Sequence, residues 1–237
     1  MVEGSSGNTG SSLAMIAAAE GYQCLVTVPA KTSSEKIRTM ELFGAEVRVS
    51  PQGVSVNSPE HDVNRARRLA ETLPGAVLLN QYQSQDQDNI DAHYDGTDPK
   101  IWEDMDGRVD YLVAAASFGG TVRGIARYLK ERNPDIQVIM HDPKGSAFFD
   151  YFHTGKPDAV SSYRIEGAGK DGICPIHDFS LIDRVESFTD EEAFALVQRL
   201  ACQEGLLVGG CAGGVLAVIN KLNNNIRPAS RAVEETI

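Results

Sequence analysis

Three short glycine-rich stretches carry the residues best suited to chemistry: Gly4-Ser5-Ser6-Gly7-Asn8-Thr9-Gly10, Ser117-Phe118-Gly119-Gly120-Thr121 and Gly209-Gly210-Cys211-Ala212-Gly213-Gly214. Each stands where a β-rich run gives way to a helical pattern. There, unpaired backbone N–H groups and the positive end of a helix dipole favour an anion, and small residues let it approach closely. Any one of them is also what a tight turn needs in order to reach positive φ. Together they point to a small anionic ligand held between two folding units. Gly4, Gly7 and Gly10 have GxxGxxG spacing and not the GxGxxG of a dinucleotide fingerprint, and the hydroxyls and amide between them suit a carboxylate. The third stretch resembles a nucleophile elbow with cysteine in the serine position. That chemistry requires a histidine later in the chain, and the last one here is His177.

The elements that must position these turns alternate between strand and helix. Strands are expected at Gln23 to Val28, Glu46 to Val49, Ala76 to Leu79, Tyr111 to Ala116, Ile136 to Met140 and Leu206 to Val208. Helices are expected after a capping box with Thr32 as N-cap and Glu35 at N3, from His61 to Thr72, from the second glycine turn to Arg132, after a second box at Thr189 and Glu192, and from Ala212 to Leu222. The polar stretch from Gln81 to Lys100 reads as a connection, Asp142 to Ile182 as loop-rich, and Asn223 to Ile237 as without pattern. This alternation implies an α/β fold with parallel sheets and ligands at the carboxyl ends of the strands. Two units follow: residues 1–85, a smaller αβα unit, and 86–237, a larger one.

Composition narrows the function classes. A chain of 237 residues, 42% hydrophobic and 23% charged, is that of a soluble globular protein with a sizeable core. Its formal charge of −11 repels phosphate backbones and anionic lipid, so neither nucleic acid nor a membrane is expected as a partner. Cys24, Cys174, Cys202 and Cys211 are widely separated with no CxxC pair, which argues against a zinc site or a disulfide scaffold and makes a reducing cytoplasm the expected location.

Taken with further stretches, these residues resemble the fold type II pyridoxal-phosphate enzymes, in particular the cystathionine β-synthase and cysteine synthase family. The further stretches are Ser33-Ser34-Glu35-Lys36, Phe43-Gly44-Ala45-Glu46-Val47, Gln81-Tyr82, Ala92-His93-Tyr94, Asp142-Pro143-Lys144-Gly145-Ser146, Glu166-Gly167-Ala168-Gly169 and Glu204-Gly205-Leu206-Leu207. The resemblance implies the tryptophan synthase β-like fold and pyridoxal 5'-phosphate as cofactor. It also implies β-replacement on L-serine or O-acetylserine by a thiol or sulfide, in cysteine and sulfur amino-acid metabolism. By the same resemblance Asn8 contacts the cofactor ring hydroxyl, and Ser5, Ser6, Thr9 and Gln81 hold the substrate carboxylate. Ser117, Gly119, Gly120 and Thr121 form the phosphate loop, Gly167 lies near the substrate amine, and Cys211 takes the place of the serine at the pyridine nitrogen. No metal is implied.

The sequence also departs from that family. Its Schiff-base lysine precedes the asparagine loop, and here Met1-Val2-Glu3 alone stand before Gly4. The expectation is a chain truncated at the N-terminus and at the C-terminus, lacking a catalytic lysine. Turnover would then be impaired and cofactor binding weakened or lost. The alternative is a pseudoenzyme or fragment that binds an amino acid or a partner subunit, the intact form being a homodimer or joined to such a subunit. Ser117 and Phe118 stand where the family has glycine and threonine, and Cys211 is a weaker donor than serine.

Overall fold

The computed structural model describes residues 1–5, 7–55, 57–81, 87–157, 160–174, 176–222 and 232–235, so Ser6 and Tyr82 lie outside the described residues. The chain forms two compact units, Met1–Gln81 and Tyr82–Ile237.

The first unit runs β1 (Val2–Gly4), α1 (Asn8–Glu20), β2 (Leu25–Val28), α2 (Ser34–Leu42), β3 (Glu46–Val49) and α3 (Asp62–Thr72). Its sheet is parallel in the order β1-β2-β3, with Val2 opposite Leu25 and Leu25 opposite Glu46. Period-two alternation decides the two faces. Val26 and Val28 pack with Leu13, Ala14 and Ala17 of α1 and Met40 of α2, whereas Val2 and Leu25 pack with Ala66 of α3. Gly10 lets α1 settle on the sheet, since a Cβ there would stand 2.9 Å from Met40 Sδ and 3.2 Å from Val26 Cγ1.

Two expectations fail in this unit. The Thr32 hydroxyl is buried with no hydrogen-bond partner among the described residues, and Ser33 in extended conformation is the N-cap of α2, so the box is not built. Thr32 is instead held by its backbone, its N–H donating to Pro29 O at 3.0 Å. Residues 76–79 make no full strand: Leu78 bridges Val2, and that edge carries Val2 N–H to Val77 O at 2.8 Å and Leu79 N–H to Val2 O at 3.4 Å.

The second unit contains α4 (Gln87–Ala92), a π-helical turn (His93–Thr97), α5 (Asp98–Asp104), β4 (Tyr111–Ala115), α6 (Gly120–Arg132) and β5 (Gln137–Pro143). It continues through α7 (Phe148–Thr154), a 3-10 turn (Phe179–Leu181), β6 (Arg184–Phe188), α8 (Asp190–Glu204), α9 (Gly210–Leu222) and β7 (Ala232–Glu235). The sheet is parallel in the order β6-β5-β4-β7. On one face Leu112, Ala114, Val138 and Met140 meet Ile125, Ala126 and Leu129 of α6. On the other, Val113, Ala115 and Ile139 meet Val215 and Val218 of α9. Glycine again sets the approach: a Cβ on Gly213 would stand 2.2 Å from Ala193 O, and one on Gly214 would stand 2.4 Å from the Phe188 ring.

The second capping box forms in full, with Glu192 N–H donating to Thr189 Oγ1 and Thr189 N–H to Glu192 Oε2, and Gly205 at φ 69° ends α8. Where a connection is expected, α4, the π-turn and α5 follow one another instead. Residues 206–208 form no strand: Leu206 and Leu207 are exposed after the Gly205 turn. The carboxyl-terminal stretch supplies a strand, β7, on β4. Among the described residues no helix is long and apolar enough to cross a membrane.

Candidate functional site

In the first unit the candidate loop lies at the carboxyl end of β1. The buried Ser5 hydroxyl accepts from Gly10 N–H at 3.2 Å and from Gly7 N–H at 3.4 Å, so it closes the turn into α1. Ser5 N–H donates to Thr27 O at 3.0 Å, which registers the loop on the sheet. Thr9 Oγ1 donates to Gln81 Oε1 at 2.8 Å, and Gln81 Nε2 donates to Gly4 O at 3.4 Å. Asn8, the first residue of α1, is exposed. Thr9 and Gln81 thus meet directly, and Ser5 belongs to the same loop through Gly7 and Gly10. Beneath them Glu3, on β1, accepts at its carboxylate from Asn80 N–H at 2.6 Å and holds the neighbour of Gln81 in place. Sequence reasoning missed Glu3 because a buried acid inside a short strand carries no motif.

In the second unit the glycine turn follows β4. Gly119 has φ 95°, and a Cβ there would stand 2.5 Å from His177 Cδ2; on Gly120 it would stand 2.1 Å from Asn89 Oδ1 and 2.5 Å from the Phe118 ring. This is a cradle in which only glycine fits, and it opens the 13-residue helix α6. Thr121, buried, shares a hydrogen bond of 3.0 Å with His93 Nε2, and His93 Nδ1 lies 3.1 Å from Thr97 Oγ1. Ser117 is engaged through its carbonyl, 3.0 Å from His177 Nε2. Because His177 Nδ1 accepts from Cys174 N–H at 2.9 Å, the proton sits on Nε2 and Ser117 O is the acceptor. Burial outweighs the upward pull of that N–H to Ser117 and, with the charge of Lys170, lowers the His177 pKa to about 4, so the ring is neutral. Burial also lowers that of His93.

The Gly167 loop joins this turn. Gly169 N–H donates to Ala116 O at 2.7 Å, and Gly167 itself is exposed at φ 90°. Cys211 shares a buried cluster with Ala115 at the end of β4 and with Ile165 and Ala168 of the same loop. The carboxyl ends of β4 and β5 therefore gather Ser117, Gly119, Gly120, Thr121, Gly167 and Cys211. Three side chains around them carried no sequence signal as a group: Asn89, His141 and His177 come from separate segments and meet only in the fold.

Asp142, at the end of β5, is buried and accepts from Phe149 N–H at 2.9 Å. Burial outweighs its hydrogen bonds and pushes the carboxyl up to about 6.

Comparison with known proteins gives the family and the fold. Residues 1–234 match the family described as pyridoxal-phosphate dependent enzyme. Cystathionine β-synthase of Oryctolagus cuniculus is 41% identical over 233 residues, covering 98% of this chain and 42% of that protein. Its counterpart in Saccharomyces cerevisiae is 36% identical over 226 residues, covering 93% of this chain and 44% of that protein. The chain thus spans less than half the length of these curated relatives. The crystal structure of an O-acetylserine dependent cystathionine β-synthase from Helicobacter pylori superposes with a TM-score of 0.87 at 32% identity, covering 99% of this chain and 72% of that one. With its parallel α/β sheets and its similarity to cystathionine β-synthases, the chain belongs to the pyridoxal-phosphate dependent enzyme family.

Proposed function

We propose that this chain holds pyridoxal phosphate and an amino-acid substrate for β-replacement on L-serine or O-acetylserine by a thiol or sulfide. The observation that supports this most directly is the glycine cradle of Gly119 and Gly120 at the start of α6, in a chain whose fold matches an O-acetylserine dependent cystathionine β-synthase. The residues fit the cofactor. The cradle excludes side chains, and the free N–H groups of the first turn of α6 attract a phosphate. The Thr121 hydroxyl stands on His93, and Cys211 lies beside the carboxyl ends of the same strands. Bound there, the cofactor supplies an electron sink for bonds at the substrate α-carbon.

The chain's own residues bind and orient. The free N–H groups at the start of α1 and the Ser5 hydroxyl offer donors to the substrate carboxylate, while Thr9, whose hydroxyl proton goes to Gln81, takes part through its backbone N–H. His177 is neutral and fixes the Ser117 carbonyl, which leaves the cradle its donors and removes a competing acceptor. Gly167, on the loop tied to Ala116, lies where a substrate amine arrives.

Turnover is a separate matter. The first lysine in these 237 residues is Lys31, downstream of the asparagine loop, so we infer that residues 1–237 alone hold the cofactor by non-covalent contacts, more weakly than with a covalent anchor, and do not complete the reaction. In the intact assembly the chain acts as a homodimer or with a partner subunit.

The experiment supplies pyridoxal phosphate, O-acetylserine or serine, and homocysteine or sulfide. It reads three quantities: cofactor retained after dialysis, product thioether or cysteine, and lysines marked by borohydride reduction with peptide mapping. Retention with neither product nor a stoichiometrically marked lysine is expected. Product formation would overturn the inference of silence; failure to retain the cofactor would overturn the function.

A further inference from the structure

Cys211, the second residue of α9, has its Sγ 3.8 Å from Nε2 of His141. His141 lies on β5 with 0% of its surface exposed, and its ring rests against Phe188 with centroids 5.3 Å apart. Burial pushes its pKa down to about 3, so the imidazole is neutral. A neutral imidazole carries one N–H and one bare nitrogen, and the partners of the two nitrogens decide which is which.

Nδ1 is buried and has no hydrogen-bond partner among the described residues. A proton on Nδ1 would strand a donor in the core. A proton on Nε2 is directed at sulfur and leaves Nδ1 with an unfilled lone pair, and buried donors without partners are the rarer of the two. The Nε2–H form is favoured.

We propose that His141 is a positioning residue for Cys211: its Nε2–H donates to Sγ, which turns the thiol proton away from the imidazole so that the sulfur meets a bound ligand as a donor. The ligand class that follows is a neutral heteroaromatic ring with an unprotonated nitrogen. Naming it as the pyridine nitrogen of pyridoxal phosphate rests on the function proposed above. The opposite tautomer would draw the thiol proton to Nε2, present a sulfur lone pair, and select a protonated ring nitrogen. The two arrangements therefore select opposite protonation states at one ligand atom.

The test has two readouts. In the ligand-free chain, long-range proton–nitrogen correlation spectra report the tautomer of His141, its signals identified by their loss in His141→Gln. Protonated Nε2 and bare Nδ1 are expected. Protonated Nδ1, or a doubly protonated ring near neutral pH, would overturn the proposal.

In the second readout, nitrogen-labelled pyridoxal phosphate is added to the wild type, to His141→Gln, whose amide can restore the donor, and to His141→Leu, which removes it. An unprotonated ring-nitrogen signal is expected in the first two and a shifted one in the third. The same signal in all three would overturn the role of His141. Loss of the cofactor from the wild type itself would count against the proposed function, and the tautomer readout would then decide the proposal by itself. It also decides if His141→Leu does not fold.

Discussion

The Thr9 hydroxyl donates to the side-chain oxygen of Gln81 at 2.8 Å, joining the first turn of α1 to the last residue of its unit. Gln81 is buried and its amide donates back to Gly4 O, so the loop proposed to bind a carboxylate is braced from behind. Thr9→Ala leaves Gln81 Oε1 without this donor and should cost about 1 kcal/mol. In calorimetry, serine should raise the melting temperature of the wild type and not of Thr9→Ala. An equal shift in both proteins would leave the loop a purely structural role.

Thr189→Ala removes one half of the reciprocal cap at the start of α8, the Oγ1 that accepts from Glu192 N–H, and keeps the backbone N–H that donates to Glu192 Oε2. Loss of such a cap typically costs about 1 kcal/mol. The urea midpoint of the unit should fall without a change in slope. Thr189→Asp, which keeps an acceptor at the cap, should recover most of the loss.

Acid should destabilise the second unit in a window set by its buried groups. Burial leaves His141 and His177 at about 3 and about 4, both below the ordinary 6.5, so the unfolded chain binds their protons first as pH falls. Stability is therefore lost as pH drops from about 6.5 through about 4. Asp142 opposes this, because its carboxyl, raised from 3.8 to about 6, takes up a proton in the folded state before the unfolded one. Each group contributes a slope of roughly 1.4 kcal/mol per pH unit inside its window. In denaturant titrations His177→Gln should flatten the acid loss and Asp142→Asn should steepen it.

Gly119→Ala forces a side chain into a residue at φ 95° and against His177, a strain of about 1–3 kcal/mol. The cradle should open and retained cofactor should fall, measured by absorbance after dialysis. Asn89→Asp leaves the backbone alone but sets a carboxylate facing Gly120. It should weaken retention through charge repulsion with the phosphate while the thermal midpoint moves less than in Gly119→Ala.

The turns of the candidate site were legible because glycine and hydroxyl residues concentrate where a strand turns tightly into a helix, as at Ser5, Thr9 and Gly119. The strands with β-branched runs, such as Glu46–Val49, were legible for the same local reason. The helices from Gln87 to Asp104 were not, since their Gln, Asp and Asn residues read as turn formers and only tertiary packing of Ile90 and Trp102 makes them helical. Leu206 to Val208 misled in the other direction, an apolar run that pairs with no strand among the described residues. The Thr32 box failed because α2 begins one residue later than the box requires, with Ser33 in extended conformation as N-cap and no side-chain capping bond. His141 and His177 had no sequence signal because each acquires its role from a partner distant in sequence, Cys211 in one case and Ser117 in the other.

The place of β7 beside β4 has a consequence for assembly. Tyr111 pairs with Ala232, so an inner strand of the second sheet waits for a partner that lies far downstream in the chain. Until then Leu112 to Ala115 offer open backbone groups to any other extended chain, whereas pairing with β5 can form much sooner. Such a distant contact is slow to close. During translation the nascent chain would therefore depend on chaperone cover at β4, and variants in β7 should lower yield through aggregation of newly made protein before they alter any property of the folded molecule.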